Sequence, residues 1–361
     1  MWTTDMLFFE LIQVAIGRRK ALSRPSTVKE WQLMFAMADM QAVAGIAFVA
    51  LESLASQGQK PPTDILLEWI GISEQIKHEN QLVNQRCKEI ESILNSNGFK
   101  CCVLKGQGTA LYYQNSQYRQ SGDIDVWVKG DRDEILNFAR KNGYHIGHID
   151  IKHSDIDFFE DVPVEVHFIP SWMFSPFKNK RLQRFFANQA DCQFNNKDIK
   201  VGFTHTTIEF DLVYSLVHIY RHVFEEGVGL RQLLDYYHIL IHSDRQQRKD
   251  ANTQLKVLGM RKFAGGVMYM LHECFMMDNE FLICEPNERH GRFLLSEILA
   301  GGNFGHYDSR YQHKASEKRI ANGLITLKRD MRYLCYYPSE VLWMPFWKLW
   351  HLCWRKIKGY L

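Results

Sequence analysis

The sequence lacks several features that would assign it at once to a class of protein. Lys and Arg outnumber Asp and Glu only 44 to 41, so the net charge does not indicate a protein that coats nucleic acid. The eight cysteines form no CxxC pair, and their scatter favours small buried side chains in a reducing compartment over a disulfide framework. Internal repeats and low-complexity tracts are absent as well.

Long apolar runs are also missing. No stretch approaches the roughly 20 apolar residues that span a bilayer. The first 20 residues differ from a secretory signal, because Asp5 and Glu10 interrupt the apolar run and the basic residues follow it. These absences lead us to expect a cytoplasmic protein.

What is present is ample material for packed cores, since 46% of the 361 residues are hydrophobic and 13% are aromatic. Helical periodicity fills residues 1–95, short strands and helices follow in 96–204, and helical periodicity returns over 205–361. We therefore predict an α+β fold, in which a small mixed sheet is flanked by N-terminal and C-terminal helical regions. These three ranges are the predicted domains.

Short elements alternate in the middle range. We predict strands at 101–105 and 123–128, a helix at 109–114, a second helix within the segment 131–144, and a hairpin at 156–169. Asp131 is a suitable N-cap for the second helix, and Gly143 lies just past its end.

A pair of carboxylates lies in the predicted strand at 123–128. Residues i and i+2 of a strand share a face, so Asp123 and Asp125 project together, roughly 7 Å apart. Two like charges so placed persist most readily where a cation neutralises them, and oxygen ligands favour Mg²⁺ or Mn²⁺. The hairpin strand PVEVHF adds Glu165 on its own polar face. Three carboxylates that hold two cations are suited to phosphoryl or nucleotidyl transfer.

A turn that is suited to phosphate binding precedes the acid pair. Gly106 lets backbone amides at the start of the following helix approach a phosphate. Lys105 and Arg119 are the nearest cations able to hold a triphosphate.

The order of the motifs in this region resembles that of the uncharacterised nucleotidyltransferase family, which belongs to the DNA polymerase beta-like superfamily. The motifs are VLKG, a Tyr, an Arg, GDIDVWV, NGY and VEVHF. The resemblance implies two divalent metals, Mg²⁺ or Mn²⁺, and transfer of a nucleoside monophosphate from a nucleoside triphosphate to an acceptor. Asp123 and Asp125 match the metal-binding acids of the family. Glu165 matches the third carboxylate, which binds the catalytic metal and helps to deprotonate the acceptor. Lys105 and Gly106 stand where the superfamily usually has Gly-Gly or Gly-Ser, and 16 residues separate Gly106 from Asp123.

The resemblance leaves the acceptor open among a small molecule, a sugar, a protein and a nucleic-acid end. The predicted nucleotide-binding residues are Lys105, Gly106, Arg119, Ser121, Gly122 and His167. His153 is a weaker candidate for contact with a phosphate or acceptor, and both histidines could instead be polar residues at a solvated sheet edge. Two alternatives remain: a catalytically silent relative that binds nucleotide or protein, and a glycosyltransferase with a metal-binding D-x-D motif.

Two helical H-x3-H pairs offer a further candidate for metal binding, His218 with His222 and His238 with His242. Neither has the adjacent acid or cysteine that would complete a zinc site. Two polar stripes offer another function, since either helix face could close over the nucleotide or acceptor: His218, Arg221, His222 and Glu225 on one helix, and Arg231, Asp235, His238 and His242 on the next. Structural helix faces are the simpler interpretation, with Arg231 and Asp235 as an ordinary i, i+4 ion pair.

The C-terminal third contains two more motifs. The glycines of residues 301–308 resemble a phosphate cradle, but without a preceding strand we expect a surface loop. The tail carries Trp343, Trp347, Trp350 and Trp354 on a helical stripe among basic residues. That composition suits either a helix that covers the core or one that contacts a membrane surface peripherally.

Overall fold

The structure, a computed structural model, describes residues 3–310 and 328–360, most of which are helical. The helices are α1 Thr3–Ala15, α2 Val28–Met40, α3 Ala44–Ser56, α4 Thr63–Ser96, α5 Gln107–Ala110, α6 Arg132–Lys141, α7 Pro176–Phe194, α8 Ile208–Glu225, α9 Leu230–His242, α10 Arg245–Val257, α11 Arg261–Phe275, α12 Glu288–Gly301, α13 at 328–334 and α14 Pro338–Lys358.

The strands form one five-stranded mixed sheet and a separate two-stranded ribbon. They are β1 Cys101–Val103, β2 Ile124–Val128, β3 Ile146–Ile149, β4 His153–Ile156, β5 Val164–His167, β6 Lys197–Asp198 and β7 Phe203–Thr204. The order in the larger sheet is β1-β2-β5-β4-β3, with β2 and β5 parallel and the other neighbours antiparallel. This small mixed sheet between helical regions confirms the predicted α+β fold.

The alternation of residues along β2 places the two faces of the sheet in different environments. Ile124, Val126 and Val128 enter an apolar cluster shared with β5 and α6. On the other face, Trp127 joins the larger helical core and contacts aromatic rings of α7 and α8. Asp125 shares the face of Trp127, so this face passes from charged to apolar along the strand.

Helix α4, 34 residues long, connects the two apolar clusters. Its first half contributes Trp69 and Ile76 to the larger core, and its second half contributes Ile90 and Leu94 to the cluster beneath the sheet. The predicted division into domains at 1–95, 96–204 and 205–361 stays a prediction.

The local predictions in the middle range differ from the structure mainly at their ends. Asp131 caps α6 as expected, accepting a hydrogen bond from the backbone N–H of Asp133. The helix predicted at 109–114 begins and ends earlier, as α5. Gly106, in a left-handed conformation, forces the chain to turn directly into this helix.

The cysteines depart from the expected pattern of burial. All eight are free, but Cys192, Cys335 and Cys353 are exposed, whereas the composition predicted small buried side chains. In the part of the chain that the structure describes, none of the helices combines the length and apolar character needed to cross a membrane.

One buried carboxyl outside the acid cluster gives the fold a testable pH dependence. Asp211 on α8 is 1% exposed and accepts a hydrogen bond from the Thr206 hydroxyl at 2.6 Å. Burial raises its pKa to about 7. The folded chain therefore keeps this proton up to about pH 7, whereas the unfolded chain releases it near about pH 4.

Stability should thus fall as the pH rises from about 4 to about 7, by about 2.5 kcal/mol between pH 5 and pH 8. Asp211→Asn should remove this contribution, and urea denaturation of both proteins across that range measures it. If the free energies of unfolding of the two proteins differed by the same amount at every pH, Asp211 would not be the source of the pH dependence.

Candidate active site

The three predicted acids meet on one face of the sheet because β2 and β5 pair in parallel. Asp125 lies directly opposite Glu165 in the register, and Asp123 precedes β2 by one residue. Carboxylate oxygens of Asp123, Asp125 and Glu165 all lie within 4.8 Å of one another. Such a set of oxygen ligands fits a hard divalent cation.

Asp125 is the buried centre of this cluster, with an exposure of only 3%. Lys105 Nζ lies 2.8 Å from one of its carboxylate oxygens, and His167 Nε2 lies 2.9 Å from the other. Burial alone would raise the pKa of Asp125, but these two cationic partners outweigh it and hold that pKa below its usual range. Asp125 is therefore ionised at neutral pH.

Asp123 shows the opposite shift. The charge of Asp125 and then burial raise the pKa of Asp123 above its ordinary value, although Lys105 opposes them. Two carboxylates whose pKa values are driven apart in this way share a site with too much negative charge. A divalent cation would relieve the repulsion, which is the physical reason why these residues fit one.

Two histidines border Glu165. His153 Nδ1 lies 3.2 Å and His167 Nε2 lies 3.4 Å from one Glu165 oxygen. Burial lowers the pKa of His167, but its bonds to Asp125 and Glu165 prevail and raise that pKa to about 9. Burial, with the charges of Lys152 and His167, lowers the pKa of His153 to about 4. Of the two histidines, only His167 thus adds positive charge to that of Lys105 at neutral pH. Neither histidine lies at a solvated edge, since both are buried.

The turn at Lys105 and Gly106 departs from ordinary backbone geometry. Lys105 has a φ of +37° and Gly106 a φ of +54°, so both occupy the left-handed region that favours glycine. A lysine here costs roughly 1 kcal/mol relative to glycine. The cost is offset by the ion pair that this conformation allows Lys105 to form with Asp125.

Arg119 is held by a buried carboxylate. Its Nε and Nη2 each donate to an oxygen of Asp235 at 2.7 Å, and the Tyr113 hydroxyl donates to the same carboxylate at 2.8 Å. The expected i, i+4 ion pair between Arg231 and Asp235 is therefore wrong, because Asp235 pairs with Arg119 instead. Arg119 outcompetes Arg231 because it approaches with its planar edge and makes two parallel bonds.

Arg231 has a different position, one that sequence reasoning missed. Its Nη1 donates to the backbone carbonyls of Gln120 at 2.9 Å and Ser121 at 3.1 Å, so it fixes the segment that leads to Asp123. Its Nε is buried and has no hydrogen-bond partner. The contact spans 110 residues, and no local pattern in the sequence signals it.

Two adjoining cavities open onto the acids. The larger, of about 580 Å³, is lined by all three carboxylates and by His167, and the smaller by Gly106, Arg119, Gly122 and Arg231. Lys105, Asp123 and Asp125 border both. We refer to the two cavities together as the cleft. The predicted nucleotide-binding residues are thus brought together, except Ser121, which faces Arg231 through its carbonyl.

The polar stripe of α8 also borders the cleft, through His218, Arg221, His222 and Glu225. Among the described residues, the groups whose geometry could hold a metal ion include neither H-x3-H pair. Residues 301–308 do not form an isolated surface loop, because Phe304 lines both cavities.

A sequence model of a family described as uncharacterised nucleotidyltransferase matches residues 27–276, more than half of the chain. The match spans both cavities of the cleft except Phe304 and His306, and confirms the resemblance drawn from the motifs. No curated protein matches the chain.

Replacing Asp123 or Asp125 should change the stability of the fold in opposite directions, and either change should abolish the stabilisation by a divalent cation. Without a divalent cation, Asp123→Asn removes the repulsion with Asp125 and should stabilise the fold by about 0.5–1 kcal/mol. Asp125→Asn leaves the charges of Lys105 and His167 without their counterion and should destabilise it by about 3 kcal/mol. Thermal unfolding with and without Mg²⁺ or Mn²⁺ tests both, and only the wild type should gain stability from the cation. A cation-dependent gain that survives Asp123→Asn would exclude this residue as a ligand.

The pair between Arg119 and Asp235 should behave as a structural contact. Asp235→Asn leaves a buried guanidinium without its counterion and should cost about 3–5 kcal/mol. Glu288→Gln is the matched control, because its i, i+4 pair with Arg292 is exposed and its loss should cost less than about 1 kcal/mol. Urea denaturation measures the free energy of unfolding of both variants. An equal, small loss of that free energy in both would mean that Asp235 does not hold Arg119, which would then be free to bind the nucleotide.

Proposed function

The chain belongs to the uncharacterised nucleotidyltransferase family, and from this premise we propose that it transfers a nucleoside monophosphate from a nucleoside triphosphate to an acceptor. Family membership indicates a transferase. The observation that carries the finer proposal is the register of β2 and β5, which gathers Asp123, Asp125 and Glu165 beside a large polar cavity.

The three carboxylates would hold Mg²⁺ or Mn²⁺, and such cations activate an attacking hydroxyl and neutralise charge on phosphate oxygens when bound. Lys105 and Arg231 supply the positive charge toward the triphosphate, in the smaller cavity that also contains Gly106 and Gly122. Arg119 supports this role indirectly, because it anchors α9, the helix that carries Arg231, through Asp235.

Glu165 is the proposed acceptor of the proton from the attacking hydroxyl. It is partly exposed to the cleft. Although burial opposes it, the hydrogen bond from His167, together with the charges of His167 and Lys105, holds the pKa of Glu165 well below the usual range. Glu165 is therefore ionised at neutral pH, as a proton acceptor must be. Because so low a pKa makes it a weak base, the transfer would depend on a bound cation that acidifies the attacking hydroxyl. His167 keeps its carboxylate oriented beside Asp125.

One observation favours a second candidate, a nucleotide-binding relative without turnover. Lys105 and His167 each already lie on one carboxylate oxygen of Asp125 and neutralise it. A cation at Asp125 would compete with these two residues, and a chain that keeps both contacts would bind nucleotide without turnover. The glycosyltransferase alternative has less support, because four helices precede β1 in place of a nucleotide-binding α/β region. The acceptor and the cytoplasmic location stay predictions.

A transfer assay tests the proposal. Purified protein with Mg²⁺ or Mn²⁺ and labelled nucleoside triphosphates should release pyrophosphate and label an acceptor among small molecules, sugars, proteins and oligonucleotides. Asp123→Asn and Glu165→Gln should each lower the rate at least roughly a hundredfold. Asp157→Asn, an exposed carboxylate on the same hairpin, should leave it unchanged.

Two results would contradict the proposal. Turnover that survives both substitutions would place the reaction elsewhere, and nucleotide binding without pyrophosphate release under every condition would favour the relative without turnover.

A further inference from the structure

Phe304 is the aromatic exception among the residues that line the cleft. It borders both cavities, and of the described residues around them it is the only Phe, Tyr or Trp. Apart from two glycines, the other lining residues are polar or charged, except Ile219 and Pro170. Phe304 also lies beyond residues 27–276, so the family match assigns it no role. Among the side chains that the structure describes, the cleft therefore has one flat apolar surface.

The backbone holds Phe304 in place against its own preference. Phe304 has a φ of +53° and a ψ of +22°, in the left-handed region, which costs roughly 1 kcal/mol for a residue with a side chain. Its loop, which follows α12, packs closely on the end of α8. A Cβ on Gly305 would lie 2.2 Å from the carbonyl oxygen of Glu226, so only glycine fits beside Phe304. The surrounding structure, rather than local preference, thus sets the position of the ring.

The ring of Phe304 has no parallel stacking partner in the part of the chain that the structure describes. The rings of His222 and His306 have centroids 5.6 Å and 6.3 Å away, but their planes are inclined to it by 57° and 72°. Phe304 is also only partly buried. Because offset parallel stacking is a favoured geometry for two aromatic rings, Phe304 is suited to a planar ligand group in the cleft.

The charges around Phe304 indicate the kind of planar ligand. Lys105 and Arg231 border the smaller cavity together with Phe304, and the three carboxylates border the larger one. Asn303, which precedes Phe304, has its side-chain oxygen 3.5 Å from Nε2 of Gln232, the residue after Arg231. The aromatic ring therefore lies close to the segment that carries a cation of the cleft. A nucleoside triphosphate combines the matching groups, phosphates at one end and a planar aromatic base at the other.

We propose that Phe304 stacks on the nucleobase of the bound nucleoside triphosphate. This inference rests on the proposed function, because it takes a nucleotide as the ligand of the cleft. Every base has an aromatic face, so stacking on Phe304 adds affinity without selecting one base. Phe304 is thus a binding residue that distinguishes a nucleoside triphosphate from a bare chain of phosphates.

Titration calorimetry of the full-length protein with Mg²⁺, without an acceptor, separates the base from the phosphates. Inorganic tripolyphosphate has three linked phosphates and no nucleoside, whereas ATP, GTP, CTP and UTP add the four bases. Phe304→Leu keeps an apolar side chain but removes the aromatic face. It should weaken binding of each nucleotide roughly tenfold and leave tripolyphosphate binding unchanged. Phe304→Trp keeps an aromatic face and should bind the nucleotides within about threefold of the wild type.

Tyr307→Leu is the matched control. Tyr307 belongs to the same loop and is 49% exposed, but it does not line the cleft. This variant should bind the nucleotides and tripolyphosphate like the wild type, and circular dichroism should show every variant folded.

Two results would overturn the inference and leave the proposed function intact. Equal weakening of nucleotide and tripolyphosphate binding by Phe304→Leu would mean that Phe304 only supports the shape of the cleft. Unchanged nucleotide affinity in Phe304→Leu would exclude stacking on the base, and a loss confined to label transfer would then assign the ring to the acceptor. A wild type that binds no nucleoside triphosphate would instead contradict the proposed function itself.

Discussion

The neutralisation of Asp125 from two sides is the interaction on which the site depends. A carboxylate that is 3% exposed is tolerated in a sheet only if cations compensate its charge, and here Lys105 and His167 do so. One comes from the turn after β1 and the other from β5. Their contacts therefore fix the two neighbours of β2 at the point where the acids converge.

This arrangement explains the departure of the Lys105–Gly106 turn from the glycine-rich form that is usual in the superfamily. The first position of the turn has a left-handed backbone, which glycine adopts without strain and lysine does not. Lysine at this position gives up some local stability and gains a charge beside the acids. The strained backbone at Lys105 is thus accounted for by its ion pair with Asp125.

The sequence was sufficient for features that depend on short-range periodicity. The alternation in 123–128 and 164–168 predicted which acids project to the polar face of each strand, whereas the parallel pairing that brings Asp125 opposite Glu165 is seen in the structure. The partners of Asp235 and Arg231 could not be predicted, because they lie 116 and 110 residues away and no local spacing encodes them. For α14, apolar residues occupy both sides of the helix, so the sequence alone could not tell which side packs on the protein.

Helix α4 reaches from the helical core to the cluster beneath the sheet, over a length of about 51 Å at 1.5 Å per residue. Because one uninterrupted helix contributes side chains to both clusters, unfolding of either cluster would also unwind helical turns that support the other. The two clusters should therefore unfold as a single cooperative unit. A proline introduced near its middle would remove a backbone hydrogen bond and clash with the preceding turn. Such a break would divide that unit and yield two separate transitions on heating.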